Sequence, residues 1–221
     1  MIALKLIRDT IPPLKPSDTI LRALKWMDEF QVNCLPVISG KSYLGMINKI
    51  SLLAATDTNV PIANIITEVK HSFVYENQHV YDVVKFGSLF KTDIIPVLSE
   101  NQDYIGLITI KDLVDYFASI TSVYQPGGII TIELPLSDYQ LSKIAQIVEA
   151  DGAHLLSTTV MAVADSQNIE VTIKIDRVDI TRILASFYRL NFNVTASYNQ
   201  SEFAEDLKDR YDSLMNYLSI G

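Results

Sequence analysis

Cysteine, histidine and basic residues are scarce in this sequence, and each scarcity excludes something. Its 221 residues contain one cysteine, Cys34, and three histidines. A single thiol closes no disulfide within the chain, which fits a reducing compartment. His71, His79 and His154 lie far apart, and no His-Glu-x-x-His or Cys-x-x-Cys pattern exists, so no metal site is expected. A Gly-x-Ser-x-Gly elbow is also missing, and Cys34 has no evident histidine partner in sequence; the chain reads as a non-enzyme. Eighteen Lys and Arg stand against 26 Asp and Glu, giving a net charge of -8. An acidic surface repels phosphate backbones, so nucleic acid is not an expected partner. No apolar run approaches the ~18 residues of a membrane helix, and the charged start, with Lys5, Arg8 and Asp9, does not read as a signal peptide. These readings together predict a cytoplasmic protein.

The sequence does contain an internal repeat. Leu35-Pro36-Val37-Ile38 matches Ile95-Pro96-Val97-Leu98, and Tyr43-Leu44-Gly45-Met46-Ile47-Asn48 matches Tyr104-Ile105-Gly106-Leu107-Ile108-Thr109. The copies lie about 60 residues apart, in the same order. Apolar spacing predicts a helix upstream of each, over Thr19 to Phe30 with Ser17 or Asp18 as N-cap, and over Val80 to Phe90. Each unit then reads strand, polar turn, strand, helix, with a short leading strand near Ile11 or Phe73. Pro36 and Pro96 cannot donate ladder hydrogen bonds, so their strands are expected at a sheet edge or starting there. One such unit is too small to bury its own apolar face, so the two are expected to share a core.

Past residue 120 the pattern changes. Pro126-Gly127-Gly128 breaks helix and strand alike and marks a domain boundary. Strands are predicted over Ile129 to Leu134, His154 to Val163, Ile169 to Ile175 and Phe192 to Tyr198. Helices are predicted over Tyr139 to Ala150, closed by Gly152, and over Ile180 to Leu190. The order βαββαβ is a ferredoxin-like layout. Ser201 to Leu218 reads as a terminal helix with an apolar stripe of Phe203, Leu207, Leu214, Met215 and Leu218, able to dock on its own domain or on a partner.

The repeated Leu-Pro-Val, polar turn, Tyr-(Leu/Ile)-Gly-(Met/Leu)-Ile, helix pattern resembles the CBS motif, and two in tandem over residues 8–120 resemble a CBS pair, or Bateman module. The second half resembles an ACT domain, and the whole arrangement resembles accessory proteins of acetoin utilisation. The fold class is therefore expected to be α+β, a pair of βαββα-type motifs followed by a ferredoxin-like ACT-type domain. The expected domains are 1–60, 61–122 and 127–200, with a helix over 201–221. The resemblance implies an adenosine ligand (AMP, ATP, NAD or S-adenosylmethionine) as a regulatory molecule, with no required cofactor, and a homodimer. It implies that Thr109 and Asp112 meet the ribose or phosphate, that Ile94 with Pro96 supports the adenine, and that Lys111 assists with phosphate charge. The residues by themselves leave a second reading open, because Thr109-Ile110-Lys111-Asp112 is also a variant capping box. The first copy carries Asn48 and Ser51 at the matching positions and lacks the carboxylate, so a single site governed by Asp112 is expected. In the ACT-like half, the loop Pro135-Leu136-Ser137-Asp138 has no glycine to let a ligand approach. That loop is expected to hold helix caps only, and the domain to serve in dimerisation.

Overall fold

The structure, a computed structural model, describes residues 1–8, 10–65 and 72–199. The expected helix over 201–221 and His71 lie outside the described residues. The chain divides into two compact units, Met1–Tyr116 and Phe117–Gly221.

In the first unit, the first copy comprises helix α1 (Ile20–Glu29), strands β1 (Cys34–Ser39) and β2 (Ser42–Asn48), and the short helix α2 (Lys49–Leu53). The second copy comprises β3 (Val74–Tyr75), α3 (Val80–Phe90), β4 (Ile94–Leu98), β5 (Tyr104–Thr109) and α4 (Ile110–Ile120). Equivalent registers support the repeat, since Cys34 pairs with Asn48 as Ile94 pairs with Thr109. The N-cap of α1 is Thr19, whose hydroxyl accepts from Arg22 N, and neither Ser17 nor Asp18 serves. Asp18 instead accepts from Lys15 N at 2.7 Å and pairs with Arg22. The apolar stripe of α1 buries Ile20, Ala23 and Met27 in a core that also takes Ile94 and Leu107 from the second copy. That shared core is how two small units bury what neither could alone.

Two features were not legible beforehand. First, β4 is the middle strand of the sheet β3-β4-β5, not an edge. Pro96 is tolerated because β3 supplies only Val74 and Tyr75, opposite Val97 and Leu98, so pairing on that side begins past the proline. Second, the first residues of the chain pack with the second copy. Ala3 N donates to Gln78 O, Val80 N to Met1 O and Arg8 N to Leu107 O. The same service is done for the first copy by residues near 60, where Ile20 N donates to Val60 O and Ile62 N to Asp18 O. Each copy thus borrows its flanking segment from outside its own stretch of sequence, and a cut at residue 60 would separate neither cleanly.

The second unit contains β6 (Gly128–Pro135), α5 (Leu141–Glu149), β7 (Leu155–Ala162), β8 (Asn168–Ile175), α6 (Thr181–Arg189) and β9 (Asn193–Tyr198). The strand order β7-β8-β6-β9, all antiparallel, is the expected ferredoxin-like sheet. Alternation along β8 buries Ile169, Val171, Ile173 and Ile175 beneath Ile144, Val148, Ile183 and Phe187 of the two helices. Gly152 closes α5 at φ +70° with its N–H on Glu149 O, as expected. Ser137 and Asp138 do not cap α5. They sit in a 3-10 turn (Leu136–Asp138), and the helix begins only at Leu141, after Gln140. The division between the units at Tyr116 and Phe117 lies inside the continuous helix α4, and Gly128 of Pro126-Gly127-Gly128 opens β6.

Candidate functional site

Both strand-to-helix junctions of the first unit are built by the repeat, and both are capped by their own side chains. At the second junction the Thr109 hydroxyl donates to Asp112 Oδ2 at 2.6 Å, Thr109 N donates to the same oxygen at 2.9 Å, and Asp112 N donates back to Thr109 Oγ1 at 3.1 Å. This is a complete reciprocal capping box on an 11-residue helix. Asp112 Oδ1 lies 4.0 Å from Arg8 Nε. Lys111 is exposed on the first turn of α4, and Pro96 is buried in β4. At the first junction Asn48 Oδ1 accepts from Ser51 N at 2.8 Å, the corresponding cap with an amide in place of the hydroxyl.

Beside the Asn48 junction lies a cavity of about 510 Å³, within the roughly 300–1,000 Å³ range of small-molecule sites. Its walls come from both copies. Met46, Ile50 and Leu53 of the first face Phe86, Phe90 and Ile94 of the second. Of the residues expected from sequence, Ile94 lines this cavity, whereas Pro96, Thr109, Lys111 and Asp112 are not among its walls.

The polar floor crosses between the two copies. Asp93 Oδ2 accepts from Asn33 N at 2.6 Å and from Asn33 Nδ2 at 3.2 Å, and Asp93 Oδ1 accepts from the Cys34 thiol at 2.9 Å. Thr92 Oγ1 lies 3.1 Å from the same sulfur. Burial, reinforced by the Asp93 carboxylate, pushes the Cys34 thiol up to about 12, so it is a neutral donor rather than a nucleophile. Two cations stand at the rim. Lys49 pairs with Asp28 at 2.5 Å, and Lys91 occupies a left-handed C-cap at φ +48°. Sequence reading missed Asn33, Thr92 and Asp93. Asn33 and Asp93 each stand immediately before the repeated strand, so the self-comparison that found the strands could have been extended back to them, whereas Thr92 stands one residue earlier, where the first copy has Val32.

Among the described residues, no group of three or more His, Cys, Asp or Glu could hold a metal ion, and no helix is long and apolar enough to cross a membrane.

Residues 66–119 match the family model described as the CBS domain. An inosine-5'-monophosphate dehydrogenase from Korarchaeum cryptofilum is 29% identical over 108 residues, 49% of this chain and 22% of that enzyme, so the chain spans about a fifth of the curated relative. Among solved structures, a CBS domain pair/ACT domain protein from Thermotoga maritima is 21% identical and covers 54% of this chain and 98% of its own, at a TM-score of 0.49. A Vibrio cholerae protein named for acetoin utilization is 17% identical, covering 56% and 95% at 0.49. CBSX2, solved in complex with AMP, is 21% identical, covering 54% and 97% at 0.47. Residues 66–119 thus match the CBS-domain model, a copy of the same strand, strand and helix pattern precedes them, and a βαββαβ domain of ferredoxin-like topology follows.

Proposed function

We propose that this chain is a non-catalytic regulatory protein. Its first unit binds an adenosine-containing ligand of the AMP, ATP, NAD or S-adenosylmethionine class, and its ACT-like domain serves homodimerisation or relay. The observation that carries this reading is the cavity of about 510 Å³ whose walls are shared between the two motifs. Aromatic and aliphatic faces at Phe90, Ile50 and Met46 suit a purine, and Lys49 and Lys91 at the rim suit its phosphates. A ligand gripping both motifs favours the arrangement it binds best, which is all that regulation requires.

The Thr109–Asp112 junction is the second seat related by the repeat. There Asp112 Oδ2 is committed to the cap, and Oδ1 is the oxygen a ribose hydroxyl would reach. That commitment is also the one observation favouring a second reading, a ligand-free dimeric scaffold.

Calorimetric titration of AMP, ATP, NAD and S-adenosylmethionine tests the proposal. One of the four should bind the wild type. Loss of a hydrogen bond to a charged group weakens binding by roughly 10- to 150-fold. A loss of that size in Lys49→Gln with Lys91→Gln places the ligand in the cavity, and the same loss in Asp112→Asn places it at the second junction. No binding across the panel overturns the proposal in favour of the scaffold.

A further inference from the structure

We propose that Asp93, held against Asn33, makes the cavity shared by the two copies select a purine bearing a 6-amino group over one bearing a 6-oxo group. The selection rests on that cavity being a nucleotide site, as proposed above, and adds the residue that chooses the base.

Asn33 and Asp93 stand at equivalent places, each one position ahead of a repeated strand, β1 or β4. Their backbones are tied alike. Lys49 N donates to Asn33 O at 2.8 Å, and Ile110 N donates to Asp93 O at 3.1 Å. Both residues line the cavity, so the polar floor is fixed from both copies. The cations Lys49 and Lys91 stand at the start of α2 and the end of α3. With phosphates held there, the base is the part of a nucleotide left to face the floor.

The hydrogens on that floor decide what the base must offer. The Asn33 amide and one hydrogen of Asn33 Nδ2 go to Asp93 Oδ2. The Cys34 thiol, kept protonated by burial, gives its hydrogen to Asp93 Oδ1. The Thr92 hydroxyl donates to Ile94 O at 2.8 Å. One hydrogen of Asn33 Nδ2 is left. Acceptors are in surplus, because a carboxylate has about four acceptor positions and these bonds fill three on Asp93. Among the described residues Asn33 Oδ1 receives no hydrogen bond and Asp93 enters no ion pair. Such a floor pairs with a donating edge. The exocyclic amine of adenine donates, whereas the 6-oxo oxygen of guanine or hypoxanthine only accepts. That oxygen would meet the carboxylate lone pair to lone pair, and a site built to receive a donor strongly rejects an analogue without one. The other edge of guanine, N1–H with the 2-amino group, asks for both oxygens of one carboxylate, and Asn33 already fills Asp93 Oδ2 twice.

Calorimetric titration of AMP, IMP, GMP and purine riboside 5'-monophosphate, which carries only hydrogen at position 6, tests the selection. On the wild type AMP should bind at least roughly 10-fold more tightly than IMP or GMP. Purine riboside monophosphate should fall between them, since it loses the donor but meets no repulsion. Asp93→Asn puts two hydrogens on the floor and should shrink the AMP-to-IMP ratio by roughly 10- to 150-fold. A merely structural part for Asp93 would weaken both nucleotides together and leave that ratio alone. A urea midpoint shows whether the variant folds, and if it does not, the wild-type series decides. Equal binding of AMP and IMP, or of AMP and GMP, by the wild type overturns the selection and leaves the cavity a nucleotide site. A ratio unchanged in folded Asp93→Asn also overturns it, because the base is then chosen elsewhere. If none of the four binds, the nucleotide site and the selection fall together.

Discussion

Replacing Asp112 by alanine should destabilise the protein in the complete absence of ligand. The carboxylate receives two hydrogen bonds from Thr109, from its amide at 2.9 Å and its hydroxyl at 2.6 Å, and its side chain is 19% exposed. Removing an N-terminal cap costs about 0.5–2 kcal/mol, and losing a carboxylate from the first helical turn adds about 0.3–1 kcal/mol. One of the three bonds survives, because Asp112 N can still donate to Thr109 Oγ1. The expected loss is therefore about 2 kcal/mol, or roughly 8 °C in a unit of this size. Asp112→Asn keeps an acceptor and loses the charge, so it should fall about midway. Urea unfolding of the ligand-free protein, followed by circular dichroism, reads both. If Asp112→Ala unfolds within about 0.5 kcal/mol of wild type, the capping argument is refuted and the carboxylate is held for something else. The measurement comes before any binding experiment, since it separates a lost contact with ligand from a loosened α4.

Three further outcomes follow from particular contacts. Gly127→Ala should be among the most damaging small changes, by about 2–4 kcal/mol. A Cβ there would stand 1.9 Å from the backbone oxygen of Ile175, in a backbone held at φ +155°, and no side-chain shift relieves it, as a urea midpoint would show. The Cys34 thiol, held near 12 by burial, should be thiolate in only about one molecule in ten thousand at pH 8, so alkylation should track unfolding by denaturant; fast labelling of the native protein would contradict the buried floor. Asp176 accepts from both the backbone and the ring of His154, which holds its carboxyl below the usual carboxylate range. A depressed folded value contributes stability above the unfolded value near 4 and loses it as pH falls through the folded one. Asp176→Asn should thus destabilise slightly at pH 7, by less than ~1 kcal/mol because the pair is exposed, and the gap to wild type should close in acid.

What the sequence determined by itself was periodic or local. The 60-residue repeat, the alternation Ile169, Val171, Ile173 and Ile175, and the βαββαβ order all follow from residue spacing along a few turns or a strand, and the structure carries each of them. Thr109 and Asp112 were legible both as cap and as ligand contact because the two uses ask for the same residue types three apart; the capping bonds are present, and the ligand contact awaits its test. Tertiary structure alone decided the rest. Asn33, Cys34, Thr92 and Asp93 form one floor only because two strands some 60 residues apart meet; the repeat puts Asn33 and Asp93 at matching positions, and only the packing puts them in contact. The pairing of Met1 and Ala3 with Val80 and Gln78, and the place of Pro96 in a central strand, likewise depend on where a partner strand begins and ends. Local pattern fixes which face of an element is apolar. Which element covers that face is set by the packing of the whole unit.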